Sequence, residues 1–198
     1  CQMSEEQKEY YEKIKSEYRN VLLLNLEDGS FKKSQIQVLQ GLTKLRQIAN
    51  HPQMIDDGYE GDSGKFENVI HTLENVLSRG HKVLVFSQFV KHLDIYRQYF
   101  NSTHVPYSYL DGATSKRGEV VKKFQSDKAI KLFLTSIKAG GAGLNLTEAD
   151  YVFILDPWWN PAVEQQAIDR THRIGQNKNV FIYKFITKDT VEEKILAL

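Results

Sequence analysis

Residues 131–155, KLFLTSIKAGGAGLNLTEADYVFIL, decide the fold class. Two short apolar runs, 131–134 and 151–155, flank a glycine-rich segment at 139–143. Apolar runs of this length, without polar alternation, suit strands covered on both faces. Small residues after the first run let a backbone pass close to a phosphate, although a tight turn between strand and helix explains them equally well. A dinucleotide fingerprint is excluded, because it needs a glycine three residues after Gly143 and Leu146 stands there.

The same alternation extends outward in both directions. Helical spacing is read at 65–78, 91–100, 116–125 and 161–172, with strands at 82–87, 107–110 and 180–186 and a last helix from Val191. Repeated strand and helix predict an α/β fold, a parallel β-sheet sandwiched between helices. Ligands are then expected on loops beyond the carboxyl ends of the strands.

The first quarter reads differently. Ser4 and Gln7 offer a capping box, and Tyr10, Tyr11, Ile14, Tyr18, Val21 and Leu22 recur at helical spacing. Residues 27–30, EDGS, break this helix, and a second helical pattern runs through Ile36, Leu39, Leu42, Leu45 and Ile48 to Pro52. The Asp- and Gly-rich stretch 53–64 reads as an exposed linker. The expected domains are therefore a helical protrusion with linker, 1–62, and an α/β lobe, 63–198.

Composition narrows the function less. The 198 residues are 41% hydrophobic and 26% charged, and 26 Lys and Arg against 25 Asp and Glu give a formal charge of +1. Any nucleic-acid contact must come from a local basic strip. The single cysteine excludes an internal disulfide framework and a cysteine-based zinc site, and the six histidines show no metal-ligand spacing. No metal site and no membrane span are expected, and nothing points to an obligate homo-oligomer. The absence of an initiator Met is expected of a fragment of something longer. Residues 61–65, GDSGK, are not a P-loop, since Tyr59 replaces its first glycine and Phe66 its Ser or Thr.

Gln166, Arg170 and Arg173 share one helix face. Two planar guanidinium forks suit a polyphosphate, because each makes paired charge-assisted bonds to oxygens; a solvated, salt-bridged face is the plainer reading of such a pair. Residues 156–161, DPWWNP, close a buried strand with a rigid turn, and Pro161 suits the first position of the next helix. Trp158 and Trp159 are read as core or lid residues.

Taken in order, these segments resemble the C-terminal half of the Swi/Snf family of superfamily-two helicase-like ATPases, over nearly the whole chain and closest to its bacterial members. Residues 83–89, VLVFSQF, look like motif IV, 109–114, YLDGAT, like the segment after it, 138–150 like motif V and 166–176, ending in RIGQ, like motif VI. Residues 45–52 and 63–65 resemble two blocks upstream in the same family. The resemblance implies a RecA-like lobe that works opposite an N-terminal RecA-like lobe, with ATP and Mg²⁺ held mainly by that other lobe, and gives the chain alone no ATP turnover. Arg170 and Arg173 would be arginine fingers and Gln166 would help orient the site. Gly141, Gly143, Asn145 and Asp169 would lie toward the nucleotide. Ser87, Gln88, Thr114, Arg117, Thr135, Lys138 and Gly140 would grip the backbone of double-stranded DNA, and Asp156 and Trp158 would couple the two sites. The parent would work at the nucleoid in a bacterium or in the nucleus of a eukaryote. The second lobe of an RNA helicase, or a non-catalytic module binding nucleic acid or protein, are the competing readings.

Overall fold

A computed structural model of the chain describes residues 1–140, 144–169 and 179–197. Along it run α1 (Glu5–Glu27), α2 (Phe31–Asn50), α3 (Gly64–Ser78), β1 (Val83–Ser87), α4 (Val90–Ser102), β2 (Ser108–Leu110), α5 (Arg117–Ser126), β3 (Leu132–Ser136), α6 (Ile137–Gly140), β4 (Tyr151–Ile154), α7 (Pro161–Asp169), β5 (Phe181–Lys184) and α8 (Val191–Leu196). The chain divides into two compact units, Cys1–Asn68 with Ile186–Leu198, and Val69–Phe185. The division therefore differs from 1–62 and 63–198, because the C-terminal segment bonds to the helical hairpin.

In the second unit the strands lie in the order β2-β3-β1-β4-β5, every pair parallel. Every residue of β1 and β3 is buried, which is what continuous apolar runs require of central strands. Side chains alternate between faces. Leu84, Phe86, Phe133, Val152 and Ile154 meet Val121 and Phe124 of α5 and Ala167 of α7. Leu93, Tyr96 and Phe100 of α4 are fully buried outside that cluster, and Tyr99 of α4 donates to Glu74 of α3 at 2.5 Å. This is a parallel sheet between helical layers, as expected.

Two aspartates tie β4 to β1 at opposite ends. Asp150, before β4, accepts from the Lys82 backbone at 3.1 Å and pairs with His81 at 2.7 Å. Asp156, after it, binds the residues that follow β1. The loops at the carboxyl edge of the sheet thus start from a fixed base.

In the first unit Ser4 caps α1 and Gln7 returns the bond, so the capping box forms. Asp28 and Gly29, the latter at φ +71°, end the helix, and α2 turns back. Gly41 allows the pairing of the two helices: a Cβ there would stand 2.8 Å from Cδ1 of Tyr18. The stretch expected to be an exposed linker is partly packed. It begins with a 3₁₀ turn, Pro52–Met54, and buries Met54, Tyr59 and Ser63.

Candidate functional site

The residues after β1 and β4 form one hydrogen-bonded junction. Ser87 Oγ donates to Asp156 Oδ2 at 2.5 Å, and Gln88 N donates to Asp156 Oδ1 at 2.9 Å. Ser87 Oγ also accepts from Phe89 N at 3.1 Å and lies 3.3 Å from His92 Nδ1, which is 3.4 Å from Asp156 Oδ2. The Ser87 proton goes to Asp156 and one lone pair accepts from Phe89 N, while His92 Nδ1 stands beside the other. Ser87 Oγ is thus engaged within the turn. Gln88 Nε2 is fixed by Pro157 O at 2.8 Å.

Trp158 extends the junction into a cavity. It is 6% exposed, packs edge-on against Phe86 at 6.3 Å, and its Nε1–H has no partner among the described residues. It borders a cavity of about 350 Å³ with Gln88, Lys138, Trp159 and Asn160. Trp159 is 48% exposed, so the pair divides into one core and one surface aromatic. Lys138 is exposed on α6, a turn of helix that follows β3 directly and was not expected from the sequence. Thr135 is fully buried and donates to the Ser136 carbonyl at 3.1 Å, which turns its hydroxyl inward.

A second surface follows β2. Asp111 N donates to Thr114 Oγ1 at 2.9 Å, and Asp111 Oδ1 accepts from Ala113 N at 2.8 Å, closing residues 111–114 into a tight turn. Arg117 is half-buried and reaches the Gly112 carbonyl at 3.4 Å. Tyr109 Oη donates to Asp111 Oδ2 at 2.7 Å while Arg97 stacks 3.7 Å from the Tyr109 ring centre. That bond holds the Asp111 carboxyl below its ordinary value of 3.8, and burial together with the same bond pushes the Tyr109 phenol up. A depressed carboxyl stabilises the fold above its unfolded pKa, and the contribution is lost as pH falls through the folded value. Tyr109→Phe is expected to return the Asp111 pKa toward 3.8, read by carboxyl-carbon NMR titration; an unchanged titration would disprove the cause given.

Asn145 and Gln166 are exposed, and Asp169 on α7 accepts from Gln165 at 3.0 Å. Gly140 closes α6. Gly141, Gly143, Arg170 and Arg173 lie outside the described residues. Among the described residues no His, Cys, Asp or Glu cluster is arranged to hold a metal, and no helix is long and apolar enough to cross a membrane.

Residues 64–175 match the helicase conserved C-terminal domain family. The chain is 37% identical, over 98% of its length, to the mouse SWI/SNF-related matrix-associated actin-dependent regulator of chromatin subfamily A member 1, and 39% identical, over 100%, to the chromatin structure-remodeling complex subunit snf21 of Schizosaccharomyces pombe. The chain belongs to the Swi/Snf family of helicase-like ATPases. Its fold is that of the Sulfolobus solfataricus SWI2/SNF2 ATPase C-terminal domain, with a TM-score of 0.79 and 32% identity over 100% of this chain and 81% of that one. The Sulfolobus SWI2/SNF2 ATPase core in complex with double-stranded DNA matches with a TM-score of 0.82 and 34% identity, over 100% of this chain and 42% of that one. The chain spans 19% and 18% of the lengths of the mouse and yeast relatives.

Within this Swi/Snf lobe one polar cluster escaped the sequence reading. Lys65 Nζ, fully buried, donates to Glu192 Oε1 at 2.5 Å, Glu192 Oε2 at 2.7 Å and Asn50 Oδ1 at 2.8 Å. Glu192 also accepts from Thr187 N at 2.9 Å, and Thr187 Oγ1 donates to Ala49 O at 2.7 Å. These bonds explain the SGK block. Ser63 donates to Asn50 O at 2.6 Å and caps α3 by accepting from Phe66 N at 3.2 Å; a Cβ on Gly64 would stand 1.6 Å from Gln2 O. Lys65 makes the ion pair. A lysine just inside a helix start is the only sequence signal, and it does not name a partner 127 residues away.

Proposed function

We propose that this chain is the second lobe of an ATP-dependent double-stranded DNA translocase, and that it supplies arginine fingers and DNA-backbone contacts to a site completed by a first lobe. The observation that carries the proposal is likeness, over 100% of this chain and 42% of the other, to a Swi/Snf core in complex with duplex DNA. The chain's residues contain no P-loop and no acidic Mg²⁺-binding box, which is why the nucleotide is assigned mainly to the other lobe. ATP supplies the phosphoryl transfer that drives movement.

Arg170 and Arg173 would neutralise charge growing on the transferred phosphoryl group, and exposed Gln166 would orient it. Gly141 and Gly143 would allow close backbone approach toward nucleotide and DNA, and exposed Asn145 would add an amide. Exposed Lys138 and half-buried Arg117 fit phosphate contact. Such groups bind phosphates without reading bases, as movement along any sequence requires. The proposal for Ser87, Thr135 and Thr114 changes in kind: their hydroxyls are engaged within the lobe, so they set the loops that present the others. Asp156, bonded to both residues 87 and 88, joins motif IV to the turn bearing Trp158 and is the coupling residue. Mg²⁺ stays with the first lobe. In a eukaryotic parent the work would be nuclear, in a bacterial one at the nucleoid.

The test is ATP hydrolysis by the protein carrying both lobes. Duplex DNA is expected to stimulate it well above RNA of equal length. Stronger stimulation by RNA would replace this reading with that of an RNA helicase lobe.

A further inference from the structure

Thirteen large apolar side chains are exposed among the described residues, and seven of them fall between positions 23 and 39, around the tip of the hairpin formed by α1 and α2. On α2, Ile36 and Leu39 are 58% and 65% exposed, one helical turn apart. With Tyr18 of α1, Thr43 and Lys44 they border a groove of about 620 Å³. Gly41 lets the Tyr18 ring lie against α2 and form one wall, and Lys44 Nζ stands 5.5 Å from the centre of that ring.

The charge on this face has one sign. Residues 31–50 contain Lys32, Lys33, Lys44 and Arg46 and no Asp or Glu, and all three lysines are exposed. None of these residues belongs to the nucleotide or DNA contacts assigned above.

We propose that the α2 face is a docking groove for an acidic amphipathic helix of a partner protein, whose apolar residues at i, i+4 and i+7 seat against Tyr18, Ile36 and Leu39 while flanking carboxylates meet Lys32, Lys33 and Lys44. Helix-in-groove recognition needs this combination of apolar floor and charged rim. A second copy of the chain is disfavoured, because two α2 faces would oppose like charges. Duplex DNA would leave the apolar centre of the groove without a use, since a phosphate backbone asks for donors and cations.

The experiment uses the whole chain and a labelled 18-residue helical peptide with leucines at i, i+4 and i+7 flanked by glutamates. Its control has lysines in place of the glutamates. Fluorescence anisotropy is expected to show saturable binding of the acidic peptide only, with amide-exchange protection confined to α1 and α2. Leu39→Asp and, separately, the Lys33→Glu/Lys44→Glu pair are expected to weaken binding at least about tenfold, near 1.4 kcal/mol. Both changes are at exposed positions, so circular dichroism and duplex-DNA affinity should not move. Equal binding of the two peptides, no effect of Leu39→Asp, or competition by duplex DNA or by anionic phosphatidylserine vesicles for the same residues would overturn the proposal. It stands or falls without ATP turnover, so its failure leaves the translocase reading untouched.

Discussion

Arg170→Ala and Arg173→Ala, each made in the protein carrying both lobes, are expected to lower DNA-stimulated ATP hydrolysis by about 10³- to 10⁵-fold, the range found when an arginine finger is supplied or withheld. The loss should fall on turnover. A finger that binds the charge developing in the transition state contributes little to ground-state affinity, so duplex-DNA binding should stay within a few-fold of wild type. Lysine should not substitute well at either position, because a point charge replaces a planar fork that makes two bonds at once. Gln166 and Asp169 on α7 are exposed, while Ala167 is buried in the lobe's core. Steady-state ATPase assays at saturating DNA give the measurement, and near wild-type turnover in both variants would remove the finger assignment.

The second large effect is on stability. Lys65→Met keeps the length of the side chain but leaves Glu192, 1% exposed, buried opposite a thioether. Removing one partner of a buried pair costs about 3–5 kcal/mol, most of it from the charge left behind. For a domain of this size that is a fall in midpoint of roughly 6–20 °C. The double variant Lys65→Met/Glu192→Leu is expected to be more stable than either single change, since no uncompensated charge remains. Asn50 limits full recovery: its Oδ1 loses the lysine donor, and its Nδ2 already has no hydrogen-bond partner among the described residues. Thermal denaturation of the four proteins decides it. A single variant within about 1 kcal/mol of wild type would mean the pair is solvated or dispensable, contrary to its burial.

Much of the fold could be read from residue order because its periodicities are clean. The strand expected at 82–87 is β1 at Val83–Ser87, and the helix expected at 91–100 is α4 at Val90–Ser102. Both segments owe their state to local pattern: five consecutive buried residues in one, and a helical stripe of Leu93, Tyr96 and Phe100 in the other. The capping box at Ser4 was legible for the same reason, its partners being three residues apart. What could not be read depends on distant neighbours. Ser87 looks like a free hydroxyl after a strand until Asp156, 69 residues away, accepts its hydrogen bond. Met54 and Tyr59 sit in a stretch with no periodicity, yet both are buried by packing that no local rule describes. The bond from Glu192, in a helix of only six residues, back to Lys65 is of the same kind.

The most direct test of the half-site account is ATP hydrolysis by this chain alone, with Mg²⁺ and duplex DNA, beside the same chain joined to its first lobe. No turnover above background is expected from the chain alone, and DNA-stimulated turnover from the joined protein. Clear, DNA-dependent turnover by the isolated chain would contradict it.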